Sequence, residues 1–123
     1  MIGKNNVLNI RTSSSFSWLG QTGSTRGFCN FEGIEYCRRT GLYLLMRSYR
    51  RAGVVTLADV IRRWAPPSEN NTMIYIRFVC EKMGVPSVFV PNVESKPAMC
   101  MFAYAIAYFE TGVEPQMEEI SEG

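Results

Sequence analysis

Ala98-Met99-Cys100-Met101-Phe102-Ala103-Tyr104-Ala105-Ile106-Ala107-Tyr108-Phe109 is apolar or aromatic on every side for twelve residues. Pro97, just before it, suits the first turn of a helix, where a missing N–H costs nothing, and Gly112 suits its end. A bilayer span needs about twenty such residues. The stretch therefore predicts a central core helix and no membrane span, and a helix with no polar face needs other elements packed around it.

Those elements can be read outward from it. Arg63-Trp64-Ala65-Pro66-Pro67-Ser68-Glu69-Asn70-Asn71-Thr72 stops one helix at the prolines and starts another at Asn71 or Thr72. The earlier helix begins at Thr56-Leu57-Ala58-Asp59, with Thr56 as its cap, and runs to about Trp64. The later one carries Met73, Ile76, Cys80 and Met83 as an apolar stripe and closes at Gly84. A longer helix opens at Gly33 and ends near Gly53. It has Ile34, Cys37, Gly41, Leu44, Leu45 and Ser48 on one face, and Arg38, Arg39, Arg47, Arg50 and Arg51 mostly elsewhere. Val85 to Glu94, broken by Pro86 and Pro91, reads as a loop or edge segment. Turn formers crowd the first 31 residues around β-prone pieces at Val7–Arg11 and Phe28–Phe31, which suggests one small hairpin. The expected fold is mainly α (α+β) in a single domain over 1–123: a turn-rich β element at 1–31, a helical core at 33–112 and an acidic tail at 113–123.

Composition narrows the chemistry. At 46% hydrophobic and 20% charged residues the chain is an ordinary globular sequence and should fold alone. Its net charge of +2 is unevenly spread: seven arginines against one acid, Asp59, between Arg38 and Arg63, then five glutamates and no base from Glu110 to Glu122. That asymmetry predicts a basic face and an acidic tail. Cys29, Cys37, Cys80 and Cys100 form no C-x-x-C pair and read as buried or half-buried free thiols. No signal peptide is expected. The absence of histidine removes Ser-His and Cys-His nucleophile pairs and most zinc sites, so neither a metal nor a cofactor is expected.

Acid-base chemistry must then come from Asp, Glu, Lys, Tyr or Cys, and the carboxylates come first. Glu32 stands where the β-prone piece meets the long helix, and Glu69 just before a helix N-terminus. Two carboxyls roughly 5 to 9.5 Å apart across a groove are the minimal machinery for glycoside hydrolysis. As simple helix-dipole acids they would need no such role. Trp18, Trp64 and Tyr75 offer rings for stacking on sugars or bases, and Asn70 a polar neighbour. The arginine-rich helix could grip phosphates, but no nucleic-acid-binding motif accompanies it, and nucleic acid is the third choice of partner.

Several blocks follow one another along the chain: Asn6-Val7-Leu8-Asn9-Ile10-Arg11, Trp18-Leu19-Gly20, Phe28-Cys29-Asn30-Phe31, Tyr49, and Arg63 to Ile76. In this order the chain resembles, over about residues 5–110, a small phage and prophage family of virion structural proteins with N-P-G-N-I-R near the start and R-W-A-P-P-x-E-N-x-T-x-x-Y-I later. Val7 and Leu8 replace that family's Pro-Gly, so the first turn must close without them. The same order is distantly similar to lysozyme-like glucosaminidases. The resemblance implies a lysozyme-like helical domain with a small β wing beside a polysaccharide groove, in a virion or in the host cytoplasm. Its partners would be peptidoglycan or another glycan and other virion proteins.

The general acid of those enzymes precedes the asparagine turn, where Met1 to Lys4 offer none. Under this resemblance either Glu69 or Glu32 has taken the catalytic role, or Trp18, Trp64, Asn70 and Tyr75 line a groove that binds glycan without cutting it. A purely structural role, with Arg63–Thr72 as a rigid corner between two helices, is the alternative from a different class.

Overall fold

The computed structural model describes residues 2–65 and 71–115. The fold is α-dominant with one small antiparallel hairpin, β1 (Gln21–Thr25) and β2 (Phe28–Phe31). Arg26 and Gly27 connect the strands with φ of 53° and 83°. Two left-handed residues in succession are what a tight hairpin turn of the right twist demands. β2 is the inner strand, burying Cys29 and Phe31.

The strand partner of Phe28–Phe31 is Gln21–Thr25 and not Val7–Arg11. The earlier segment makes only a single bridge, Arg11 to Phe28. Two consecutive turns precede that bridge, in which Asn6 N–H donates to Gly3 O and Asn9 N–H to Asn6 O, and the second of them takes in Val7 and Leu8. Asn5 and Asn9 take the left-handed conformation, φ 58° and 56°, that asparagine tolerates better than most residues. Asn6 closes the turn in place of Pro-Gly. Its fully buried amide donates to Ile10 O and Cys29 O, both at 2.9 Å, and accepts Ile10 N–H at 2.8 Å and the Cys37 thiol at 3.4 Å.

The helices follow as α1 (Ile34–Tyr43), a π-helical turn (Leu44–Ser48), α2 (Tyr49–Arg51), α3 (Leu57–Trp64), α4 (Thr72–Met83) and α5 (Lys96–Thr111). The first three run on without a break, because the residues at their junctions stay right-handed helical. As its apolar run predicts, α5 is the core helix: Met99, Cys100, Phe102, Ala103, Ala105, Ile106 and Ala107 are buried, against α4 and α1.

Two faces differ from expectation. Arg38 is buried and its Nε has no hydrogen-bond partner; it lies four residues before buried Leu42 on α1. In α4 the buried side is Thr72, Tyr75, Ile76 and Val79, whereas Met73 is 66% exposed. Apolar residues surround this helix almost completely, so periodicity left two overlapping stripes and packing against α3 and α5 selected one.

Local signals account for the helix starts. Thr56 and Asp59 form a reciprocal capping box on α3. The 85–95 loop completes it, since Leu57 N–H donates to Phe89 O and Ala58 N–H to Ser87 O, at 2.8 and 3.1 Å. Asp59 is held below the usual carboxylate range, first by hydrogen bonds from Thr56. Thr56→Ala is expected to cost about 1 kcal/mol of stability, read as a lower urea midpoint with an unchanged slope. Asn71 caps α4, and Thr72 Oγ1 donates to Ala65 O at 2.9 Å, tying α3 to α4.

All four cysteines are free. Burial pushes the Cys37 thiol up to about 12 and raises Cys29 and Cys80, which leaves these sulfurs poor nucleophiles. Among the described residues no helix is long and apolar enough to cross a membrane.

Candidate functional site

The two tryptophan candidates share a cleft. Trp18 and Trp64, 46 positions apart in the sequence, line one cleft of about 360 Å³ together with Asn9, Arg11, Leu44, Tyr49 and Arg63. The β wing supplies one wall. Trp18 N–H donates to the Gln21 side chain and Trp18 O accepts Gln21 N–H, closing a turn with Gly20 at φ 81°. A Cβ at Gly20 would also overlap the Tyr36 ring, so glycine lets the wing lie close on α1. Beyond the cleft Trp18 continues into an exposed aromatic group, edge-on to Phe16 at 4.7 Å and to Tyr43 at 5.7 Å.

The helical side supplies the other wall. Trp64 ends α3, donates its indole N–H to Leu8 O at 3.2 Å and meets Tyr49 edge-on at 5.8 Å. Thus the first turn, which provides Asn9, is pinned to the helix that provides Trp64. Leu44 enters the cleft at the π-helical turn, while Met46 and Arg47 of the same turn open onto a different cleft. Burial pushes the Tyr49 hydroxyl up to about 12, with the Arg63 guanidinium 5.6 Å over its ring opposing the shift.

The other candidates lie elsewhere. Tyr75 is not a wall of this cleft: it is fully buried, stacked on Phe109 at 3.9 Å, with its hydroxyl donating to Glu110 at 3.0 Å. Glu32 is exposed at the end of β2 and outside the lining of the cleft. Glu69 and Asn70 lie outside the described residues.

Glu110 is the carboxylate that sequence reasoning overlooked by grouping it with the acidic tail. It stands inside α5, half-buried, with one oxygen accepting from Tyr75 and the other from Asn9 Nδ2 at 3.1 Å. Burial raises its pKa, and the hydrogen bonds from Tyr75 and Asn9 oppose the rise. A signal was available, because an acid in the last turn of a helix opposes the dipole and needs another reason to be there. That reason is Asn9, which Glu110 holds against the wall of the cleft while Asn9 Oδ1 stays buried without a partner.

A larger cleft, about 550 Å³, is lined by Met46, Arg47, Arg50, Arg51, Val93 and Glu94. It has no aromatic ring, and its exposed Arg50–Glu94 pair at 3.1 Å is of a kind that contributes little. Chemistry rather than size favours the tryptophan cleft, because rings and cations converge there. No group of histidine, cysteine or carboxylate side chains suited to a metal ion occurs among the described residues.

Over 124 residues the chain is 32% identical to protein P5 of Pseudoalteromonas phage PM2, a match covering 97% of this chain and 76% of P5. The chain belongs to the P5 family. No family profile matches it. Its kinship with P5 agrees with the phage resemblance read from the ordered motifs. The match takes in nearly the whole of this P5-family chain, so the β wing, the first turn and the helices that build the cleft fall in the compared region.

Proposed function

We propose that this P5-family protein is virion-associated and that its single, lysozyme-like helical domain engages peptidoglycan in the Trp18–Trp64 cleft. The observation that carries the reading is the convergence of two indoles and two guanidiniums, from Arg11 and Arg63, in one cleft. Indole faces suit the apolar faces of sugar rings, and polar groups at the same site fix orientation. The wall residues come from the turn-rich first third and from the helical core, which supports one domain over 1–123.

Co-sedimentation with purified, insoluble peptidoglycan tests the proposal. Trp18→Ala is expected to weaken binding about tenfold or more. Trp18 is the better probe, because Trp64 also anchors Leu8 and its loss would mix binding with stability. Equal binding by wild type and Trp18→Ala, at equal melting temperature, would reject the cleft.

Hydrolysis is a separate proposal resting on Glu69, with Asn70 beside it. Clearing of cell walls by the wild type but not by Glu69→Gln supports it; clearing by both removes Glu69 from the mechanism. Contact with other virion proteins is favoured by an exposed apolar set, Val55, Val88 and Val90 at 52%, 71% and 57% exposure. Loss of virion incorporation on Val88→Asp, with glycan binding retained, would assign that surface to assembly.

A further inference from the structure

The tryptophan cleft carries charge that a neutral sugar chain does not require. Arg11 holds its guanidinium 4.5 Å over the Phe28 ring, and Arg63 holds its own over Tyr49. Both arginines are exposed and line the cleft, one from the bridge beside β2 and one from α3. Each guanidinium is thus held over a ring, so less conformational entropy is lost when a ligand is gripped. A guanidinium matches a carboxylate as a planar fork of donors.

We infer that Arg11 and Arg63 make this cleft selective for a glycan that bears carboxylates, the guanidiniums taking the acid groups while the indoles take the sugar faces. This rests on the peptidoglycan reading and sharpens it. The recognised unit is a sugar with its attached acidic peptide, and a neutral N-acetylglucosamine chain lacks half of the match.

Single-stranded nucleic acid also combines anions with stacking faces, but its binders usually track the backbone along an extended basic groove. Here Arg47, Arg50 and Arg51 open onto a separate cleft, leaving Arg11 and Arg63 as a localised pair. An acid at one or two points on a sugar chain fits that arrangement better than a phosphate at every residue.

Tryptophan fluorescence titration of the full chain provides the test, with three probes: a soluble disaccharide-tetrapeptide from peptidoglycan, neutral chitotetraose and oligothymidylate. The acidic muropeptide is expected to bind on the order of tenfold more tightly than chitotetraose, with affinity falling as salt rises. Arg63→Gln should lower muropeptide affinity far more than chitotetraose affinity and so remove most of that preference, whereas Arg63→Lys should retain part of it. Equal affinity for the two sugars, insensitive to Arg63→Gln, overturns the inference and leaves glycan binding in place. No binding of either sugar overturns both. Tighter, Arg63-dependent binding of oligothymidylate overturns both in favour of nucleic acid.

Discussion

Asn6→Leu is expected to lower the unfolding free energy by about 3–5 kcal/mol, a large effect for one substitution. The side chain is fully buried, and its amide serves the Ile10 and Cys29 carbonyls, the Ile10 N–H and the Cys37 thiol. Leucine has a similar volume but meets none of these groups, and each backbone group left unpaired in the interior costs about 1–3 kcal/mol. Urea denaturation followed by fluorescence measures the loss. Asn6→Asp should be nearly as damaging, because a carboxylate keeps the acceptor but loses both donors and would bury a charge. A loss below about 1 kcal/mol for Asn6→Leu would show that the first turn is held by something other than this amide. The cleft should suffer with it, since Asn9 and the Leu8 carbonyl that anchors Trp64 belong to the same turn.

Tyr75→Ala is expected to cost about 3–5 kcal/mol, the range for deleting a large buried aromatic. The ring is fully buried against Phe109, and its loss leaves a cavity between α4 and α5. Tyr75→Phe isolates the hydroxyl and should cost about 1 kcal/mol. The partner carboxyl makes the effect depend on pH. Burial raises the Glu110 pKa, so at intermediate pH the folded chain binds more protons than the unfolded one. Its contribution is fully present below the unfolded-state value, about 4.3, and is lost as pH rises through the elevated folded value. Glu110→Gln keeps an acceptor for Tyr75 and removes that decline. Its stability relative to wild type should therefore improve as pH rises from about 4 to about 8. A difference that stays flat over that range would show that Glu110 ionises as easily in the folded chain as in the unfolded one.

Much of the architecture could be read directly from the sequence, because its causes are local. Ala98–Phe109 is apolar all round, so it had to be the central helix; Thr56, Asn71 and the prolines marked where α3 and α4 begin or end. Trp18 and Trp64 could be proposed as cleft residues from their stacking rings together with the family resemblance, which implies a groove.

Tertiary structure decided what depends on distant partners. Which stripe of α4 is buried depended on α3 and α5, so Tyr75 went inside and Met73 outside. Glu110 acquired its role only by meeting Asn9, 101 positions earlier. Local sequence patterns report how a segment prefers to bend and which faces avoid water. They carry no record of which remote side chain arrives to satisfy a buried amide or carboxyl, and in this protein those arrivals at Asn6, Asn9 and Glu110 shape the wall of the cleft.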